Sequence, residues 1–431
     1  MKRNRVKSSL TASLKDGFCW SFMFGFVDSY YLPAAIMLGA GALEVGFVRS
    51  FPLLLGAVLL LLADWLVRLA KSRKKIILLG AHSQALALAA GGICCLPGGR
   101  TALYVFMAAV AVYVSAGLLI NPPWVSLMAE YLPPGKRGFY LGWRERLLGF
   151  SLAFFVAVAG GVLHLAGGHE YAGFAALFFA GALARWRSAH YIAKMYEPAH
   201  MKTGGANCTY LEFFGSARNS NIAAFVLAAA VMMFSVYIAG PFFAVYMLRD
   251  LGFAYWQYAA ILMAGQMTLY IMSQHWGSLC DRHGSRRVAM VAATAIPLIP
   301  LLWMCTTKWY LLFLIELASG TAWAAYGRAA INFIYDSAAP DLRTRYLAFL
   351  GVSVGLAQFA GGLCGGWLYE RLPGWTGAAN PFVLLLLVSC AGRVAARWLF
   401  SKVTEPKRVC DNPGDFLLRA FDPRRMIGIE N

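Results

Sequence analysis

Charge is what this sequence has least of. Only 13% of its 431 residues are Asp, Glu, Lys or Arg, and only 20 of them are acidic. Soluble domains run at about 25% charged, so a chain this poor in charge and 60% hydrophobic is not a water-soluble enzyme or binding module. It also lacks the apolar/polar alternation of a transmembrane barrel; its apolar runs are long and unbroken. No glycine-rich phosphate cradle of the Walker kind is present, so nothing points to ATP hydrolysis. The nine cysteines fall in no metal-ligand spacing. Cys94 and Cys95, the adjacent pair, end an apolar run, where cysteine packs as a small hydrophobe. No metal and no cofactor is expected. No small-residue cleavage site follows the first apolar segment, which is therefore read as a retained helix. The convergent His/Asp or metal constellation of a membrane-embedded acyl or glycosyl transferase is absent too, so an enzyme is not expected.

What is present is apolar sequence in helix-sized pieces. A bilayer core of about 30 Å needs roughly 20 apolar residues per helix, and only helices or closed barrels satisfy the backbone in lipid. Twelve segments qualify: 17–40, 44–67, 76–96, 101–131, 140–166, 171–194, 219–247, 255–279, 286–306, 309–336, 344–370 and 378–402. The fold class is all-α and polytopic. The chain divides into a segment 1–16, a first six-helix bundle 17–194, a central loop 195–218, a second bundle 219–402 and a tail 403–431. Even-numbered connections are rich in base, with Arg68, Lys71, Arg73, Lys74 and Lys75 in one and Lys136 and Arg137 in the next. Odd-numbered connections carry few net positive charges. The Lys/Arg excess marks cytoplasmic loops, so both termini are expected in the cytoplasm and the chain in the cytoplasmic (inner) membrane. The net charge of +18 is spread over these loops, which argues against a nucleic-acid partner.

The two halves look duplicated. Pro134–Trp143 (PGKRGFYLGW) aligns without gaps to Pro340–Phe349 (PDLRTRYLAF), matching Arg137 to Arg343 at an offset of 206 and pairing Glu130 with Asp336. Lys71–Lys75 aligns with Gly284–Val288 at an offset of 213. Both matches fall in corresponding loops, as internal duplication requires.

The second of these lies in GSLCDRHGSRR, Gly277 to Arg287, of the form G-x-L-x-D-R-x-G-x-R-R. It resembles the loop signature of the major facilitator superfamily, which recurs between helices two and three and between eight and nine. Gly277 and Gly284 would permit close helix approach and a tight turn, and the basic residues would sit at the anionic leaflet. In the first half Asp64, Arg68 and Lys71 stand where Gly277, Asp281 and Gly284 stand, so the resemblance implies unequal gates. The helix-four arginine and helix-five antiporter motifs of the family are not evident, and Asn121–Trp124 (NPPW) reads as a break or kink. The resemblance implies a secondary transporter with two six-helix bundles rocking about a central site. The gating candidates it supplies are Gly277, Asp281, Arg282, Gly284, Arg286, Arg287, Asp336 and Arg343. Asp281 is expected to latch to Arg343, with Asp336 meeting Arg286 or Arg287.

Ionisable residues deep in a helix are the candidates for the site itself. Asp28 lies roughly 17 Å along the first helix from Gly17 at 1.5 Å per residue, with Tyr31 on the same face. It reads as a cation or proton site, or as an aspartate bonded to a neighbouring helix. Glu316, with Gly320, Trp323 and Gly327 on one face, reads as a pocket wall or as glycine-mediated packing. Arg144 at the start of helix five could meet an anionic substrate group or be a solvated helix start. Trp124, Gln266 and Gln358 complete the substrate and ion candidates. The expected function is ion- or proton-coupled secondary active transport of a small organic solute, by a monomer in the bilayer. A non-transporting sensor or assembly factor on the same fold is the alternative.

Overall fold

The computed structural model describes residues 2–131, 134–197, 220–338, 342–376 and 380–405. Its helices group into twelve: α1 (Lys2–Val27, resumed as Tyr31–Met37), α2 (Ala42–Ala70), α3 (Arg73–Cys95), α4 (Arg100–Tyr131), α5 (Pro134–Leu165), α6 (Glu170–Ala193), α7 (Asn221–Ala239, resumed as Phe242–Val245 and a π turn Tyr246–Asp250), α8 (Tyr255–His283), α9 (Ser285–Ala295, resumed as Leu298–Met304), α10 (Trp309–Ser337), α11 (Arg343–Thr376) and α12 (Pro381–Ser401). Among the described residues, eight helices are long and apolar enough to cross a membrane. The long helices outside that set, α1, α6, α8 and α10, carry Asp16, Arg185, Gln266 and Glu316. Helices that break the hydropathy rule are where intramembrane chemistry is kept.

Proline sets the interruptions. At the break in α1, Pro33 has no N–H for the Ser29 carbonyl four residues back, and the Tyr258 hydroxyl donates to that carbonyl at 3.0 Å instead. In α9, Pro300 likewise leaves the Ile296 carbonyl without its helical donor, and Arg393 Nη1 donates to it at 3.2 Å. Neighbouring helices thus replace the hydrogen bonds that proline removes. Sequence led us to expect a break at Asn121–Trp124, but α4 runs unbroken through Pro122 and Pro123. The segment 1–16, expected outside the first helix, is the first four turns of α1. Ser9, Ala12, Ser13 and Asp16 are buried along it, a stripe that average hydropathy does not register.

Contact clustering divides the chain into two compact units, Met1–Thr203 with Pro241–Ala260 and Gly204–Gly240 with Ile261–Asn431. Their internal packing is parallel. In the first unit α3 packs on α4 and α6, and α1 on α5 and α6; in the second α9 packs on α10 and α12, and α7 on α11 and α12. These four contacts of the first half recur six helices later, which is the duplication expressed in packing. The α7–α11 contact is backbone-close. A Cβ at Gly361 or Gly365 would overlap the carbonyl oxygens of Phe234 and Ile238, so this small-x-x-x-small spacing is a packing device.

Candidate functional site

In the first unit Asp28 lies at the backbone break of α1. Asp28 is half-buried, and Arg49 of α2 is the cation whose charge acts on it. Arg49 donates to the Tyr31 hydroxyl and lies over the Tyr31 ring, 5.8 Å from its centroid. Tyr258 and Tyr113, both buried, sense the Asp28 charge, and Tyr113 senses Arg185 as well. Tyr30 donates to the Val156 carbonyl at 2.8 Å and meets the Tyr258 ring edge-on at 6.2 Å. A carboxylate, a guanidinium and several hydroxyls in one low-dielectric neighbourhood can hold and exchange a proton or a small cation.

A second polar cluster lies about 18 Å further along α1, twelve residues from Asp28 at 1.5 Å each. Asp16 Oδ1 accepts from Ser188 Oγ at 2.6 Å, and the Trp124 indole also donates to this carboxylate. Arg185 Nη1 stands 4.0 Å and Arg144 Nη2 3.9 Å from its oxygens. Arg144 lies 4.4 Å over the Trp124 ring and donates to the Ser13 carbonyl at 3.1 Å. Arg144 is therefore buried rather than a solvated helix start.

In the second unit Glu316 Oε1 accepts from the Trp303 indole at 3.1 Å. Ser319 also bonds it, and the buried Arg393 acts on its charge. Gly320 meets the Gly265 backbone so closely that no Cβ would fit, so this position is packing. Trp323 is half-buried against Tyr326, 5.7 Å between centroids. Gln358 reaches only the Met233 sulfur, at 3.9 Å, and Gln266 is exposed.

The chain was compared with known proteins. Residues 225–427 match the family model described as Major Facilitator Superfamily. That match lies in the second half of the chain. A tetracycline resistance protein, class B, of Escherichia coli is 28% identical over 153 residues, 35% of this chain and 36% of that protein. The match thus spans about a third of the length of this curated relative. Among solved structures, the nucleoside transporter NupG superposes with a TM-score of 0.67 at 16% identity, over 93% of this chain and 99% of that one. A D-xylose–proton symporter does so with a TM-score of 0.67 at 12% identity, over 94% and 98%. The fold is that of these solved transporters.

The loop Gly277–Arg287 is tighter than its sequence suggests. α8 continues to His283, so Asp281 and Arg282 are its last turn, and Gly284 alone joins it to α9. Gly284 has φ +92 with Glu405 packed against its Cα, a conformation that favours glycine. Gly277, by contrast, has nothing within 4 Å of a built Cβ, so it permits no close approach. Asp281 is exposed and makes no hydrogen bond or ion pair among the described residues, while Arg343 donates to the Ala338 carbonyl at 3.3 Å and lies over Tyr335. Ser285 Oγ donates to Asp336 at 2.9 Å. Arg286 puts its backbone N–H on Glu405 at 3.0 Å, a guanidinium nitrogen on the Ser401 carbonyl at 2.9 Å, and its Nε on the Val403 carbonyl. Arg282 is exposed and Arg287 half-buried. Lys136 and Arg137 have side chains outside the described residues.

The first half repeats this arrangement with different residues. Lys71, in the place of Gly284, adopts φ 52 without being glycine. Glu197 accepts from the backbone N–H of Arg73 at 2.7 Å and of Lys74 at 3.2 Å, and from Ser72 Oγ at 2.5 Å. The buried Arg73 donates to Glu130 at 2.5 Å and Ser126 at 3.0 Å. Glu130 and Asp336, which the sequence paired, both accept from the start of the helix that follows the loop, Glu130 from the Arg73 guanidinium and Asp336 from the Ser285 hydroxyl. The loops themselves differ, with Lys71 and Ser72 joining α2 to α3 where Gly284 alone joins α8 to α9. Glu197 and Glu405 were missed, although KMYEP (Lys194–Pro198) and KVTEP (Lys402–Pro406) repeat at an offset of 208. Burial holds the Glu405 carboxyl above the usual glutamate value, against the backbone N–H groups of Arg286 and Arg287.

Proposed function

We propose that the chain is a secondary active transporter of a small organic solute, working by alternating access and coupled to protons through Asp28. The observation that carries this reading is the half-buried Asp28 at the helix break, set among Arg49, Tyr31, Tyr113 and Tyr258. An ionisable group kept at that depth is costly in a bilayer and is retained for function. Support comes from the family-model match over residues 225–427 and from the similarity in fold to a nucleoside transporter and a D-xylose–proton symporter. The moving parts in this reading are the bundles 17–194 and 219–402, with gating at Gly284, Arg286, Glu405 and Asp336 and their first-half counterparts. Residues Asp28, Tyr31, Trp124, Arg144, Gln266, Glu316, Trp323 and Gln358 remain the substrate and ion candidates.

The test has two stages. Metabolite profiles of cells with and without the protein select a solute, and its flux is then measured in proteoliposomes under an imposed pH gradient. Asp28→Asn is expected to lose uphill accumulation by tenfold or more, roughly the scale of a coupling free energy of 1–3 kcal/mol, while counterflow exchange persists. Unchanged accumulation removes Asp28 from coupling. The Lys/Arg bias places both termini and the Gly284 turn in the cytoplasm. A cysteine at Ser285 should be closed to impermeant thiol reagents in intact cells and one at Gly374 open; the reverse pattern inverts the topology.

A further inference from the structure

We infer that the Asp16–Arg144–Arg185 cluster is a binding site for an oxyanion, the carboxylate or phosphate group of a solute. This deepens the transport reading and rests on it for the solute's fate, but binding can be measured without flux. Charge balance comes first. Two guanidinium groups face one carboxylate, and Asp16, Arg144 and Arg185 are 4%, 8% and 2% exposed. The three groups together carry one net positive charge in a buried place, where charges are ordinarily paired, and the next carboxylate acting on Arg144, Glu145, lies exposed.

The hydrogen bonds are unbalanced in the same sense. Asp16 is served at short range by neutral donors, Ser188 and Trp124. Both guanidinium contacts to it, at 3.9 and 4.0 Å, are longer than hydrogen bonds. Each guanidinium has five N–H donors. Among the described residues Arg185 uses one of them on Ser188, at 2.7 Å, and Arg144 one on the Ser13 carbonyl. The Nε of each is buried with no partner. Buried donors in native proteins are rarely left so. Trp124 covers the flat face of Arg144, and stacking of this kind leaves the edge of the fork for a bidentate acceptor. A carboxylate or phosphate oxygen pair supplies the missing acceptors and the missing negative charge at once.

The test uses the purified full-length chain in detergent, at constant ionic strength, with inorganic phosphate, acetate or chloride as titrant and thermal unfolding as readout. Phosphate or acetate should raise Tm saturably, as binding to the folded state alone requires, and chloride should not. A response to phosphate only assigns phosphorylated solutes; a response to acetate only assigns carboxylates. Arg144→Gln and Arg185→Gln should abolish the shift. Asp16→Asn keeps both arginines and removes the competing internal anion, so it should lower the half-saturating concentration about tenfold or more. No shift with either oxyanion, or a shift that survives both arginine substitutions, overturns the site. Should those variants fail to fold, Asp16→Asn decides alone, since unchanged or weaker binding in it refutes the proposal. Binding without flux of any bound solute would instead count against the transport reading.

Discussion

Tyr258→Phe removes one oxygen atom and leaves the ring where it is. That oxygen is the donor to the Ser29 carbonyl, at 3.0 Å, and the carbonyl needs it because Pro33 has no N–H to offer. Leaving a buried acceptor unbonded costs about 1–3 kcal/mol. Ser29 is half-buried, so the lower part of the range applies and we expect about 1–2 kcal/mol, roughly a factor of 5–30 in the folded-to-unfolded ratio. The cause can be isolated. Pro33→Ala restores an N–H four residues beyond Ser29, so in that background Tyr258→Phe should cost markedly less, with a coupling of about 1 kcal/mol between the two positions. Tyr30→Phe is the control, because its hydroxyl bonds the Val156 carbonyl at 2.8 Å, where no proline is involved; its cost should be the same in both backgrounds. The measurement is unfolding by denaturant of detergent-solubilised protein across these single and double variants. Strict additivity of Pro33→Ala and Tyr258→Phe would refute the account of this helix break.

Lys71→Gly should raise stability by about 0.5–1 kcal/mol, since a lysine held at φ 52 carries a strain that glycine does not; a loss in the same unfolding assay would show that the side chain outweighs the backbone. Glu405→Gln weakens the carboxylate cap on α9 and should cost about 0.5–2 kcal/mol near neutral pH. The sign of its pH dependence follows from the raised folded-state value. Between the ordinary glutamate value and that raised value the folded state binds the proton more tightly than the unfolded one, so this group's contribution grows as pH falls and is lost as pH rises through the folded value. Wild-type Tm should therefore gain on that of Glu405→Gln as pH falls through the window below neutrality; a gap that narrows on acidification contradicts the burial of this carboxyl.

Twelve helices and a duplication were legible because they depend on local quantities: runs of apolar residues and short loop motifs at a fixed offset. What failed to show was whatever depends on a partner. Asp16 reads as the last polar residue before an apolar run until α6 brings Arg185 and Ser188 to it. Arg185, inside an apolar stretch, was a visible signal that went unused. Asp28 and Glu316 stood out because charge is rare at that depth, but their companions Arg49, Trp303 and Arg393 come from other helices. At Pro122 and Pro123 local rules allow a break or a kink, and of these the break does not occur, because α4 continues through both. Gly277 and Gly284 look alike in a motif, and only the backbone angle and the neighbour of Gly284 separate them.

The grouping of Pro241–Ala260 with the first unit bears on how a duplicated gene of this kind could have begun. A polypeptide ending near Glu197 would carry α1 with its proline break but no Tyr258 to close the Ser29 carbonyl. It would also lack the Tyr255 ring that meets Phe174 edge-on at 5.6 Å. A half-length ancestor built this way would lack both contacts on its own. Fusion to a second half would have supplied them through chain connectivity rather than concentration.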